Sequence, residues 1–153
     1  MTMLDATIRA RKSAQFELDV SLQVPAGITI LFGPSGSGKS TLLHCLSGLT
    51  SPDAGRIRLG DRVVFDAAHQ LDIPAARRHV GYVFQQLALF PHMTVGENLR
   101  YGIAHLSASE AGERVERICQ SFRISALLAR RPGEISGGER QRTALARALV
   151  TNP

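Results

Sequence analysis

Gly33-Pro34-Ser35-Gly36-Ser37-Gly38-Lys39-Ser40-Thr41 is the stretch on which the reading of this chain turns. It matches the spacing G-x-x-x-x-G-K-[ST], and its flanks are those the spacing requires. Ile28-Thr29-Ile30-Leu31-Phe32 predicts a buried strand before it, and Thr41-Leu42-Leu43-His44-Cys45-Leu46 predicts the first turns of a helix after it. Glycines let such a loop fold back so that its N–H groups point inward, and the helix start adds roughly half a positive charge at the same point. The result is a cradle for a polyphosphate. Lys39 is placed to bridge the β- and γ-phosphates, and the Ser40 hydroxyl to complete the coordination of Mg²⁺.

Working outward, Phe16, Leu18, Val20, Leu22 and Val24 alternate with Glu17, Asp19, Ser21 and Gln23, which predicts a strand with one buried face. Pro25-Ala26-Gly27 turns it toward the loop. Beyond the first helix, Gly48 suits a C-terminal cap, Ser51-Pro52-Asp53-Ala54-Gly55 suits a turn, and Arg56 to Phe65 predicts a hairpin about Gly60-Asp61. Val80-Gly81-Tyr82-Val83-Phe84 predicts another apolar strand that delivers Gln85 and Gln86 at its end, where ligands of open α/β sheets bind. From there the texture is helical. Thr94-x-x-Glu97 and Ser107-x-x-Glu110 are capping boxes, and Val115, Ile118, Cys119 and Phe122 share one face of the helix after the second. Glu110/Arg114 and Glu113/Arg117 are spaced as i,i+4 pairs on the other face.

Composition bounds the rest. The chain has 153 residues, 44% hydrophobic and 20% charged, as expected of one soluble globular domain. No apolar run approaches the roughly 20 residues that span a bilayer, and Met1 to Arg11 lacks the apolar core of a signal peptide, so a cytoplasmic location is expected. The net charge of +5 is carried mainly by scattered arginines, without a dense basic run or interleaved aromatics; no nucleic-acid partner is expected. Cys45 and Cys119 lack metal-ligand spacing and read as two buried reduced thiols.

Ser136-Gly137-Gly138-Glu139 opens a helix through Arg140-Gln141-Arg142, with Ala144, Leu145, Ala148 and Leu149 on its apolar face, and it forms a third capping box. Taken with the phosphate loop and with Gln85, it gives the chain a resemblance to the ATP-binding cassette family, the motor subunits of ABC transporters. Residues 33–41 resemble the Walker A loop, Val83-Phe84-Gln85 the Q-loop, and Ile135 to Arg142 the LSGGQ signature, with Ile135 for leucine and Glu139 for glutamine. Asn98 to Ile103, Ala26 to Thr29 and the hairpin Gly55 to Phe65 resemble the molybdate-import branch more than the sulfate, iron or polyamine importers.

The resemblance implies an α/β fold: a P-loop NTPase with a RecA-like core, an N-terminal antiparallel β-subdomain and an inserted α-helical subdomain. It implies a nucleotide-binding core over residues 1–86, the helical subdomain over 87–134, and a signature segment returning to the core over 135–153. ATP and Mg²⁺ are the implied ligands. Gln85 contacts the metal and the attacking water, while Ser136, Gly137, Gly138 and Glu139 face ATP held by a second, head-to-tail copy. Leu87 to Leu99, with Phe90 and Met93 exposed, receives a transmembrane permease, which places the protein on the inner face of the membrane. The adenine-stacking position falls near Ala10-Arg11, where the Arg11 guanidinium offers a plane. The Walker B Asp-Glu and the switch histidine follow the signature in this family and are absent from the sequence. The chain is therefore expected to be an N-terminal fragment that does not hydrolyse ATP alone, and whose strands 28–32 and 80–84 lack their neighbours. The ATPase of another ABC importer (sulfate, iron or polyamine), a non-hydrolytic nucleotide-binding remnant and a soluble cassette ATPase of DNA repair or translation are the alternatives.

Overall fold

The computed structural model describes residues 2–13 and 16–153 and divides the chain into two compact units, Met1–Val80 and Gly81–Pro153. The first is built on an antiparallel sheet of β1 (Thr2–Ser13), β2 (Phe16–Pro25), β3 (Ala54–Leu59), β4 (Arg62–Asp66) and β5 (Leu71–Asp72), in the order β2-β1-β3-β4-β5. On β1, Ala6, Ile8 and Ala10 are buried while Thr7, Arg9 and Arg11 point to solvent, the alternation of a strand with one covered face. The cover is helix α1 (Lys39–Ser47), whose Leu42 and Cys45 join Ala6, Ile8, Ala10, Ile57, Val64 and Phe65 in one core. β2 forms as its alternation predicts, and β3 with β4 makes the hairpin expected about Gly60-Asp61. Gly55 belongs to β3 rather than to the turn before it.

Neither apolar strand expected beside the functional motifs forms. Residues 28–32 and 80–84 lie in no ladder among the described residues; Ile28 is 97% exposed, Ile30 83% and Phe32 95%. The physical reason is that an apolar run becomes a buried strand only when neighbours on both sides take up its N–H and C=O groups. No such neighbours occur among the described residues.

The second unit gathers α2 (Val95–Tyr101), α3 (Ala108–Phe122) and α4 (Gly137–Leu149) around Val95, Leu99, Ile103, Val115, Cys119, Ile124, Leu127, Ile135, Ala146 and Val150. All three capping boxes close as expected: Thr94 with Glu97, Ser107 with Glu110 and Ser136 with Glu139. In α3, Ile118 and Phe122 pack against the core beside buried Val115 and Cys119. On α4 the apolar face is turned from the expected one. Thr143, Ala144, Ala146 and Val150 are buried, whereas Leu145 is 38% exposed and Leu149 46%. Burying Thr143 is tolerated because its hydroxyl donates to the Glu139 carbonyl one turn back, at 2.8 Å. Among the described residues, no helix is long and apolar enough to cross a membrane.

Candidate functional site

In the first unit the phosphate loop runs into α1 at Gly38, whose left-handed backbone (φ 91) serves as N-cap without any side-chain cap. A Cβ there would lie 2.8 Å from Phe16 Cζ, so this glycine is required both by its dihedral and by the ring against it. Helix α1 also carries no acid in its first turn. The starts of α2, α3 and α4 are each closed by a side-chain hydroxyl and a glutamate, so α1 alone of the four presents an open helix start. Donors at an unclosed helix start, with the dipole behind them, form a site for an anion.

Lys39 is the first residue of α1, and its ammonium donates to the carbonyls of Gly33 (2.9 Å) and Pro34 (2.6 Å) and to the Ser37 hydroxyl (3.3 Å). The lysine thus draws both ends of the loop together, with its charge held beside the open helix start. Pro34, Ser35, Gly36, Ser37 and Ser40 are exposed, and Thr41 is buried beneath them. An exposed hydroxyl at Ser40 is a hard oxygen donor of the kind Mg²⁺ accepts, so the residues present fit a magnesium polyphosphate. Arg11 does not offer a free plane: its guanidinium pairs with Glu17 across the hairpin at 3.4 Å. The aromatic ring lying against the loop is that of Phe16.

The far end of α1 is held by a residue that sequence reasoning missed. The Arg78 side chain is fully buried and donates to the carbonyls of Cys45 (2.7 Å), Leu46 (3.1 Å) and Ile73 (2.7 Å) and to Asp72 (2.9 Å). It fills the space beside Gly48, the left-handed C-cap at φ 80, where a Cβ would meet Arg78 Nε at 2.6 Å. Replacing Arg78 with Met strands the α1 carbonyls in an apolar setting and is expected to destabilise the protein by about 3 kcal/mol. Urea unfolding of the purified subunit measures this, and a loss below about 1 kcal/mol would show that the arginine is incidental.

In the second unit, Gln85 and Gln86 are exposed at the head of a tight turn in which the Leu87 amide donates to Phe84 O (2.8 Å) and the Ala88 amide to Gln86 O (2.7 Å). Leu87 (φ 61) and Ala88 (φ 47) are both left-handed, a conformation costing non-glycine residues about 1 kcal/mol or more each. Their carbonyls accept from Arg147 on α4, at 3.1 and 2.8 Å, and the same guanidinium lies 5.2 Å from the Phe90 ring centroid. Burial pulls the Arg147 guanidinium below its ordinary pKa. Phe90 and Met93 are half-buried rather than exposed, and Phe90 packs on Tyr101 with centroids 4.6 Å apart. Behind them the fully buried Asn98 side chain accepts from the Phe90 amide and donates to the carbonyls of Phe90, Met93 and Thr94. A cleft of about 350 Å³ opens between Gln85, Gln86, Leu87, Leu89, Pro132 and Arg140.

At the start of α4, Gly137 and Gly138 are exposed. The Ser136 hydroxyl accepts from the Glu139 amide (3.3 Å), and the Glu139 carboxylate accepts from the Ser136 amide (2.7 Å). The Ser136 N–H, with its hydroxyl, holds the Glu139 carboxyl below the usual glutamate range. A carboxylate therefore already occupies part of this helix start, so an arriving anion meets a partly neutralised dipole.

Comparison with known proteins gives the family of the chain. The family described as ABC transporter matches residues 18–153. The molybdenum import ATP-binding protein ModC of Paramagnetospirillum magneticum is 42% identical over 151 residues, 99% of this chain and 41% of that protein. ModC of Pectobacterium atrosepticum is 48% identical over 138 residues, 90% of this chain and 38% of that protein. The chain thus spans about two fifths of the length of the curated relatives it matches. Among solved structures, the ATP-binding cassette MJ1267 superposes with a TM-score of 0.83 at 28% identity, over all of this chain and 66% of that one. The cassette MJ0796, in a dimeric post-hydrolysis state with ADP and Pi, gives 0.78 at 27% identity, over 99% of this chain and 71% of that one. As the family model matches all but the first 17 residues, this chain belongs to the ABC transporter family.

Proposed function

We propose that this sequence is part of the ATP-binding subunit of an ABC importer that moves molybdate across a membrane. The observation that carries the reading is the open start of α1 behind Gly33 to Lys39, with the Lys39 ammonium already inside the loop. The amides of that loop, Lys39 and Ser40 take the phosphates of ATP; Ser40 would hold Mg²⁺, with Gln85 as the further ligand that resemblance to the family implies, and the ion would supply charge neutralisation at the phosphates. Gln85 orients water. Ser136, Gly137 and Gly138 serve ATP held by a second copy of the subunit, in a head-to-tail homodimer. Residues 1–86, 87–134 and 135–153 correspond to the nucleotide-binding core, the helical subdomain and the signature segment. The permease docks near Leu87 to Leu99, where the 350 Å³ cleft offers a seat, and holds the subunit on the cytoplasmic face. Similarity to the molybdenum import proteins named above supports molybdate as the solute.

Uptake of radioactive molybdate by cells carrying the complete transporter tests this proposal. Uptake is expected to require ATP and to be competed by tungstate. Uptake that persists when the gene for this subunit is deleted refutes the assignment.

A further inference from the structure

The Leu87-Ala88 pair is unusual: among the described residues, no other two consecutive non-glycine residues both have positive φ. A strained turn persists only where its surroundings over-determine it, and here, beside the turn's own two backbone bonds, one side chain takes both strained carbonyls. Arg147 spans both carbonyls with its two terminal nitrogens, lies over the Phe90 ring and reaches Asn98 Oδ1 at 3.4 Å. No carboxylate pairs with it among the described residues, so carbonyl dipoles and a π face carry its charge. The clamped turn has Gln85 at its head, and Arg147 stands on the helix that Ser136 caps.

We propose that Arg147 is a positioning residue for ATP turnover: its fork fixes the strained turn behind Gln85 to the signature helix, so that the two move as one body. The inference rests on the reading of Gln85 given above. It assigns a role in that chemistry to a residue eleven positions after Ser136. The fork is essential to it, because a lysine carries the same charge but cannot span two carbonyls in one plane.

The test uses the complete ATPase subunit carrying Arg147→Lys. We expect kcat to fall about tenfold or more while KM for ATP stays within about twofold, the split of a misplaced catalytic group rather than of lost binding. Amide exchange at Leu87 and Ala88 should quicken about tenfold. Adding Leu87→Gly and Ala88→Gly removes the penalty for left-handed backbone, and is expected to restore at least about a third of wild-type kcat. Phe90→Leu, which takes the ring from beneath the guanidinium and keeps both carbonyl bonds, should give the same split at smaller amplitude. It decides the matter if Arg147→Lys does not fold. Wild-type kcat and exchange in Arg147→Lys, a KM rise that accounts for the whole loss in either variant, or no recovery with the glycine pair overturns the proposal. Unchanged turnover in Gln85→Ala instead removes the reading of Gln85, while the exchange measurement still decides whether Arg147 holds the turn.

Discussion

Lys39→Ala is expected to abolish measurable ATP binding by the complete subunit, lowering affinity by at least about a hundredfold. The magnitude follows from what the side chain does. Two charge-assisted hydrogen bonds to phosphate oxygens contribute about 1.5 to 3 kcal/mol each, and each 1.4 kcal/mol is tenfold in Kd. The substitution also frees the carbonyls of Gly33 and Pro34, which Lys39 now draws together, so the loop loses its tie as well as its charge. Pro34 is exposed and Gly33 half-buried, so their carbonyls can turn to water, and the fold should lose less than about 1 kcal/mol. Titration with a fluorescent ATP analogue, with thermal melting alongside, separates the two. Affinity within about threefold of wild type in a folded Lys39→Ala subunit would remove the phosphate cradle from the protein's function.

The second large effect is expected at Ser136. An arginine there deletes the hydroxyl that accepts from Glu139 N–H, at about 1 kcal/mol for a lost cap, and sets a bulky cation where, in the function proposed above, a second subunit presents its nucleotide. Binding of ATP to the subunit's own loop should stay within about twofold, because Lys39 and Ser136 belong to different units, while turnover should drop at least about a hundredfold. Ser136→Ala is the control: it removes the cap alone and should cost turnover far less. If Ser136→Arg hydrolyses ATP at the wild-type rate, the α4 start plays no part in catalysis.

The sequence was most legible where structure is decided locally. Each capping box needs only a hydroxyl and a glutamate three residues on, and all three formed at Thr94, Ser107 and Ser136. The Gly60-Asp61 hairpin is local in the same sense. It was least legible where partners are remote. Strand β1 escaped notice because two of its buried positions are alanines, so its alternation carries little apolar contrast. The runs at 28–32 and 80–84 have strand composition but no ladder, since pairing depends on neighbours and not on the run itself. Arg78 and Arg147 were missed for a related reason. Asp72 aside, the partners that tie them to distant elements are backbone carbonyls 33 and about 60 residues away, and a carbonyl leaves no letter in a sequence. The displaced face of α4 turned on Thr143, a polar residue that becomes a core residue once its hydroxyl is satisfied by its own helix.

Each hydrophobic core holds a single cysteine, Cys45 in the first unit and Cys119 in the second, and burial raises the pKa of both thiols. A thiol that is both enclosed and protonated reacts only when the chain around it opens. The molecule therefore carries one chemical clock in each unit. The rate at which each sulfur is alkylated would show whether nucleotide quiets the phosphate-loop unit alone or the signature unit with it.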